Sequence, residues 1–269
     1  MTFGELLKNS KHEDAPLILS QLLSKDLSYI YSHMDELLSE TLSAKFEELY
    51  ELISKGLPFA YLFGKKAFFD IEIPVNNSVL IPRPETELLI SKVLESIDER
   101  PLTILDVGTG SGCIAISLAL ARKNRDIITA TDISKNALEV AKANSEHFGV
   151  DINFVQSDLL ENLKGKFDVV VANLPYVRFS DYKLLIEGLK FEPTKAITDG
   201  SEDWRLTKRF FTQIPEIINE KSLIFLEHDP KAVKFLKELG QRYLPDFKFI
   251  PLRDYKDLFR YFLYFPNKI

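Results

Sequence analysis

The residues best suited to chemistry are Asn173, Leu174, Pro175 and Tyr176, which follow four consecutive apolar residues at the end of a predicted strand. The Asn173 side-chain oxygen and the Leu174 main-chain oxygen can each accept one N–H of a planar NH2 group. Pro175 fixes the turn, and Tyr176 can stack on a planar group. The run therefore predicts a site that holds an amide or aromatic amine nitrogen in line with an electrophile.

A second candidate site is the run 106–112, which ends one predicted strand and begins a helix. Its three glycines stand at alternate positions, where they allow a sharp turn and leave room for a ligand at main-chain N–H groups. Dinucleotide folds use the spacing G-x-G-x-x-G, and here the third glycine comes one residue earlier. We expect a cofactor other than NAD to bind at Gly108, Thr109, Gly110, Ser111 and Gly112.

Carboxylates also follow the next two predicted strands. Asp132 can accept hydrogen bonds from both hydroxyls of a ribose. Asp158 can accept from an adenine amino group and Leu159 can cover the ring, although Asp158 alone is almost as readily explained as a solvated loop residue. Ser134 is expected to cap the following helix. The three strand ends together predict a cofactor that contains adenosine.

Alternating strands and helices must position these residues. The strand-like runs LTILDV, DIITATD, INFVQSD and FDVVVAN alternate with helical segments from Glu85 onward, and SLIFLEH, FKFIPL and RYFLYF extend the set. Residues 204–219 are predicted as a further helix. This order predicts an α/β fold with a parallel, doubly wound sheet, in which ligands bind at the carboxyl ends of the strands.

The preceding segment has a different pattern. Apolar residues recur at intervals of three and four over about 20–54, which predicts helices. Aromatic and β-branched residues over 61–82 predict a hairpin that turns at Asn76-Asn77. The predicted organisation is a helical domain over 1–60, a β-hairpin linker over 61–82 and an α/β domain over 83–269.

Composition limits the class of protein. The 269 residues are 45% hydrophobic and contain no apolar run of about 18 residues, so a membrane span is not expected. The opening residues lack the apolar region of a signal peptide. The net charge of −6 gives no overall attraction for nucleic acid, and the single cysteine, Cys113, cannot form an internal disulfide. We expect a cytoplasmic protein without a bound metal and without nucleic acid as substrate.

The glycine run, Asp132 and Asp158 resemble the cofactor site of the class I S-adenosylmethionine-dependent methyltransferases. Asn-Leu-Pro-Tyr at 173–176 is similar to the [ND]-P-P-[YF] signature of members that methylate planar nitrogens, with Leu174 where a proline is usual. Because that position acts through its carbonyl, the change is compatible with activity. The resemblance implies S-adenosylmethionine as the cofactor, with Asn173 serving both the cofactor and the reacting nitrogen.

The segments 56–64, 68–69 and 79–87 resemble the linker of the release factor glutamine methyltransferases, also called the HemK family, and 191–193 and 225–227 match it further. The resemblance runs from about residue 56 to the end of the chain. It implies methyl transfer to the side-chain amide N5 of the glutamine in the Gly-Gly-Gln motif of a peptide chain release factor. The helical N-terminal domain would grip that protein.

Two alternatives stay open. Asn-Leu-Pro-Tyr is also the form found in the ribosomal RNA adenine dimethyltransferases, so an N6-adenine methyltransferase acting on RNA or DNA is the second hypothesis. The third is a scaffold that binds the cofactor without catalysis, and the presence of Asn173 and Tyr176 argues against it.

Overall fold

The computed structural model describes residues 1–10 and 12–267, which belong to two compact units, Met1–Lys65 and Lys66–Ile269. Lys11 and the last two residues of the predicted domain 83–269 lie outside the described ranges. The boundary between the units falls inside the predicted linker 61–82. None of the helices in the described ranges combines the length and apolarity that crossing a bilayer needs.

The first unit is helical. Its core is formed by Phe3, Ile18, Leu19, Ile30 and Phe46, all almost fully buried. The apolar pattern predicted helices from about residue 20, but the first helix begins at Phe3. The capping box of Thr2 with Glu5 is the sequence signal for this first helix. The helices are α1 (Phe3–Asn9), α2 (Ala15–Leu23), α3 (Leu27–Ser32), α4 (Glu40–Ser54) and α5 (Phe59–Leu62).

A hairpin of β1 (Lys65–Phe68) and β2 (Ile71–Pro74) follows. It reverses at Phe69, which has a positive φ of 51°, and Asp70. The predicted turn at Asn76-Asn77 is wrong as the hairpin turn, although the Asn76 side chain does accept from the Ser78 N–H at 2.9 Å in a separate turn. Residues 77–83 form no strand, because the chain soon reaches Pro82 and Pro84, which cannot donate to a ladder.

The second unit contains a seven-stranded sheet in the order β5-β4-β3-β6-β7-β9-β8. Strand β9 runs antiparallel to β7 and β8, and the other pairs are parallel. The predicted doubly wound α/β sheet is thus confirmed, with one antiparallel strand. The strands are β3 (Thr103–Val107), β4 (Ile127–Asp132), β5 (Ile152–Gln156), β6 (Phe167–Asn173), β7 (Ile218–Glu227), β8 (Phe247–Arg253) and β9 (Phe259–Pro266).

Helices connect and cover these strands. The predicted helix over 204–219 is shorter than expected, because Pro215 follows its end and β7 starts at Ile218. Helices α9 and α11 were not predicted. The helices are α6 (Pro84–Ser96), α7 (Cys113–Ala121), α8 (Lys135–Phe148), α9 (Phe179–Leu189), α10 (Arg205–Gln213) and α11 (Val233–Tyr243), with short 3-10 turns at Thr194–Ala196, Ile214–Glu216 and Pro230–Ala232.

The order of the strands determines where a ligand can bind. The chain runs outward from β3 to β4 and β5, then returns to β6 on the other side of β3. Such a switch point leaves a crevice at the carboxyl ends of the two central strands. Val107 at the end of β3 is in register with Ala172, the residue before Asn173. The glycine loop and the Asn-Leu-Pro-Tyr run therefore lie beside each other.

Candidate active site

A cavity of about 390 Å3 lies at these strand ends, within the range of about 300–1,000 Å3 that is usual for small-molecule sites. Four of the predicted site residues, Thr109, Ser111, Gly112 and Tyr176, do not line it. The predicted residues that do line it are Gly108, Gly110, Asp132, Asp158, Leu159, Asn173, Leu174 and Pro175.

The glycine loop is built around internal hydrogen bonds. The N–H groups of Gly108 and Thr109 both donate to the Thr131 carbonyl at 2.8 Å, and the Gly110 N–H donates to Asp132 Oδ2 at 3.0 Å. The expectation that these N–H groups face a ligand is therefore wrong. A sulfonium cofactor has no phosphate that would need them, so the loop suits such a cofactor better than a dinucleotide.

Gly112 has a packing role. Its φ is +82°, and a Cβ there would lie 3.0 Å from Ile116 Cδ1 and 3.2 Å from Ala141 Cβ. Its N–H donates to the Thr109 carbonyl at 2.8 Å, which closes the turn before α7. This glycine lets α7 and α8 approach each other.

Asp132 ends β4 with its carboxylate held by main-chain donors. Oδ1 accepts from the Ser134 N–H at 2.8 Å, and Oδ2 accepts from Gly110. Burial raises the pKa of Asp132, and these two N–H bonds oppose that change by favouring the charged form. Each oxygen keeps a second acceptor position, so the carboxylate can still bind a pair of hydroxyls. Ser134 caps α8 as predicted, by accepting from the Ala137 N–H.

Asp158 and Leu159 follow β5 in a less protected setting. Asp158 Oδ2 accepts from Arg209 at 2.9 Å, in a pair whose side chains are 35% and 40% exposed. Leu159 has a positive φ of 55° and is buried. Asp158 thus lines the cavity but already has a cationic partner that sequence reasoning did not identify.

The Asn-Leu-Pro-Tyr run lies between this cavity and a second one of about 170 Å3. Asn173 and Leu174 line both cavities, and Tyr176 lines only the smaller one. The Tyr176 hydroxyl donates to Glu227 Oε1 at 3.1 Å, and its ring stacks on His228 with 5.4 Å between centroids. One face of Tyr176 is therefore already covered within the protein.

His228 is buried and neutral. Its Nδ1 accepts from the Asp229 N–H at 2.8 Å, so the proton lies on Nε2, which donates to Thr207 Oγ1 at 3.0 Å. Burial lowers the pKa of His228 to about 3. An uncharged imidazole thus supports the Tyr176 ring.

Arg83 lines the smaller cavity and is paired. Its guanidinium donates to Glu192 Oε1 at 2.6 Å, while Oε2 of the same buried carboxylate accepts from the Ile81 N–H at 3.1 Å. Glu192 joins the segment before α6 to the segment after α9. The sequence contained both motifs, but no spacing rule connects residues so far apart.

Comparison with known proteins identifies the family. Residues 84–200 match the model of the methyltransferase small domain, and residues 4–64 match the PrmC N-terminal domain. The release factor glutamine methyltransferase of Bacillus subtilis is 36% identical over 234 residues, which cover 84% of this chain and 81% of that protein. The Bacillus cereus protein of the same name is 34% identical and covers 89% and 88%. The chain belongs to the release factor glutamine methyltransferase family.

Solved structures agree with this fold. The hMettl16 catalytic domain, in complex with an RNA hairpin, has a TM-score of 0.57 at 17% identity, covering 85% of this chain and 82% of that one. A Thermus thermophilus 16S rRNA N2 G1207 methyltransferase in complex with AdoMet has a TM-score of 0.53 at 17% identity, covering 76% and 50%. At this identity, both support the fold alone.

Family membership makes S-adenosylmethionine the cofactor, as the sequence predicted. Sequence reasoning left one buried carboxylate without a role, Asp106, which lies two residues before Gly108. Its Oδ2 accepts from the Thr109 hydroxyl at 2.6 Å, and its Oδ1 has no partner among the described residues. Burial raises the pKa of Asp106 to about 7. A nearby positive charge would favour the ionised form.

Proposed function

We propose that this chain transfers the methyl group of S-adenosylmethionine to the side-chain amide N5 of the glutamine in the Gly-Gly-Gln motif of peptide chain release factors. The observation that carries the proposal is the position of Asn173 between two adjoining cavities, one of cofactor size and one of side-chain size. The relatives from Bacillus subtilis and Bacillus cereus are named release factor glutamine methyltransferase, which supports a glutamine of a release factor as the substrate.

The larger cavity would bind the cofactor, which supplies an electrophilic methyl group on a sulfonium sulfur. Asp132 would accept the ribose hydroxyls, and Asp158 and Leu159 would meet the adenine. Of the loop residues, Gly108 and Gly110 would contact the cofactor directly. The other three, Thr109, Ser111 and Gly112, would maintain the shape of the loop, since they do not line the cavity.

The smaller cavity would bind the glutamine side chain. Asn173 Oδ1 and the Leu174 carbonyl would each accept one N–H of its amide, which holds the nitrogen in line with the methyl group. The nitrogen lone pair would form the new bond to the methyl carbon that the cofactor supplies, with the sulfur as leaving group. The proton becomes acidic only then, so no base has to act before the attack. Pro175 would hold the turn and Tyr176 would line the amide plane.

The first unit would bind the release factor. It has its own buried core and matches the PrmC N-terminal domain. Removing residues 1–54 should raise the KM for the release factor and leave the dissociation constant of S-adenosylmethionine nearly unchanged. An unchanged KM would refute this role for the unit.

Mass spectrometry of a recombinant release factor after incubation with the chain and S-adenosylmethionine tests the substrate. We expect one methyl group on the Gly-Gly-Gln glutamine, and none on a release factor in which that glutamine is replaced by glutamate. An adenine enzyme would instead methylate RNA or DNA with steep loss of affinity as salt rises, with a log–log slope of roughly −0.7 to −0.9 per neutralised phosphate. Methylated adenine without methylglutamine would refute the proposal.

A further inference from the structure

The catalytic amide of Asn173 belongs to a chain of buried hydrogen bonds. Asn173 Nδ2 donates to Thr86 Oγ1 at 3.1 Å, and the Thr86 hydroxyl donates to Glu227 Oε2 at 2.7 Å. Tyr176 donates to the other oxygen of Glu227. Thr86 is 3% exposed and Glu227 is 2% exposed, so water does not replace these partners. One carboxylate thus holds both ends of the Asn-Leu-Pro-Tyr run.

The direction of these bonds is determined by how many protons each group has. A carboxylate can only accept, so the single proton of the Thr86 hydroxyl goes to Glu227. The Thr86 oxygen is then an acceptor, and only the NH2 end of the Asn173 amide can satisfy it. The carbonyl end of Asn173 is consequently directed away from Thr86.

Groups around Glu227 oppose the effect of burial on its ionisation. Burial raises the pKa of Glu227, while the hydrogen bonds from Thr86 and Tyr176 and the positive charge of Arg260 favour the ionised form. Arg260 is itself held by Asp254, with Nε to Oδ2 at 2.8 Å. Burial also raises the pKa of Tyr176, which therefore stays a hydroxyl donor.

The backbone brings the members of this chain together. Asn173 at the end of β6 is directly paired with Glu227 at the end of β7. Thr86 lies in the first turn of α6, which begins with Pro84. The three side chains thus come from two adjacent strand ends and one helix start.

We propose that Thr86 and Glu227 are positioning residues, which fix the Asn173 amide with its oxygen toward the reacting nitrogen. This inference rests on the proposed function of Asn173. If the amide rotated by half a turn, its NH2 group would face the NH2 group of the substrate, and two donors cannot bond to each other. The chain of hydrogen bonds from Asn173 through Thr86 to Glu227 therefore prevents an orientation of the amide that has almost the same shape but cannot hold the substrate nitrogen.

Single-turnover methylation of the release factor by Thr86→Val tests the inference. Valine keeps the shape and removes the hydroxyl. We expect the rate to fall roughly 10- to 100-fold, somewhat less than loss of a direct transition-state contact, with the cofactor dissociation constant unchanged. Thr86→Ser, which restores the hydroxyl, should recover most of the rate. Thr129→Val, a buried threonine on β4, is the matched control and should retain the wild-type rate.

A double-mutant cycle separates positioning from general stability. If Thr86 acts through Asn173, Thr86→Val should cause no further loss in an Asn173→Ala background. A wild-type rate in Thr86→Val, or equal losses in both backgrounds, would overturn the inference.

The NMR signal of the Asn173 side-chain NH2 gives a readout without substrate. It should shift and broaden in Thr86→Val but not in Thr86→Ser, and an unchanged signal would also overturn the inference. Failure of the proposed function looks different, because the wild type would then leave the glutamine unmethylated while the NMR result still held.

Discussion

The cofactor side of the proposed site, around Asp132, and its acceptor side, around Asn173, are held in place by different kinds of contact. Asp132 takes its hydrogen bonds from Gly110 and Ser134, which are 22 and two residues away in the sequence. Asn173 depends on Thr86, which is 87 residues away. Consecutive strand–helix units can thus hold a strand-end carboxylate without help from distant segments. The orientation of the Asn173 amide depends on a segment that no local pattern connects to it.

Removing the amide should have the largest effect. Asn173→Ala is expected to lower turnover on the order of 10²–10³-fold, since one preorganised contact to the transition state is lost, with a much smaller change in cofactor affinity. Leu174→Pro keeps the main-chain carbonyl and should stay within about tenfold of wild type. Rapid-quench single-turnover assays measure both. Near-normal methylation by Asn173→Ala would show that this amide does not hold the reacting nitrogen.

On the cofactor side, Asp132→Ala should weaken S-adenosylmethionine binding by about 1–3 kcal/mol, since two hydroxyls lose a charged acceptor. Turnover at saturating cofactor should change little. Asp158→Asn is the contrasting variant, because its carboxylate is a third exposed and paired with Arg209, and its effect should stay below about 1 kcal/mol. Titration calorimetry with S-adenosylmethionine measures the loss of binding free energy in both variants. Equal losses of binding free energy in the two variants would show that Asp132 does not bind the ribose.

Gly112→Ala should destabilise the fold by about 1–3 kcal/mol, because a positive φ and a 3.0 Å approach to Ile116 act together. Gly149→Ala is the matched control, since that glycine also has a positive φ but nothing lies within 4 Å of its would-be Cβ. Its loss should be closer to about 1 kcal/mol. Urea denaturation compares the two. If both substitutions lower the free energy of unfolding equally, close packing of α7 and α8 is not the reason why residue 112 is a glycine.

The buried imidazole of His228, next to Tyr176, predicts that the fold loses stability in acid. His228 has a pKa of about 3 in the folded chain and an ordinary value near 6.5 when unfolded, so only the unfolded chain takes up its proton between these values. Its contribution to stability is complete above about pH 6.5 and is lost as pH falls, by up to about 1.4 kcal/mol per pH unit. His228→Gln should show a shallower acid slope in denaturant unfolding. A parallel slope, or an imidazole that titrates near pH 6.5 by NMR, would contradict this.

The contrast between the two sides also explains what the sequence could predict. That Gly108, Asp132 and Asp158 line one cavity was predictable, because each lies at or just after the end of a strand and parallel strands place their ends together. Asn173 was predictable for the same reason. The orientation of its amide was not, because it depends on Thr86 and on the cross-strand pairing with Glu227.

The errors in the predicted secondary structure and contacts also have specific causes. The hairpin turn was predicted at Asn76-Asn77 because asparagines favour turns, yet the chain reverses earlier, at Phe69 with positive φ, which is uncommon for a bulky residue. Helix α1 was missed although Thr2 and Glu5 form a capping box. Arg209 was not connected to Asp158 because tertiary packing alone brings α10 to the end of β5.

The two cavities share four lining residues, Leu80, Asn173, Leu174 and Ala196. An inhibitor that joins a nucleoside to an amide mimic would need a short linker that runs past these four residues. Its nucleoside half would occupy a cavity that many enzymes using the same cofactor possess in some form. Selectivity for this enzyme would have to come from the atoms that enter the 170 Å3 side, where Arg83, Tyr176 and Glu227 form the wall.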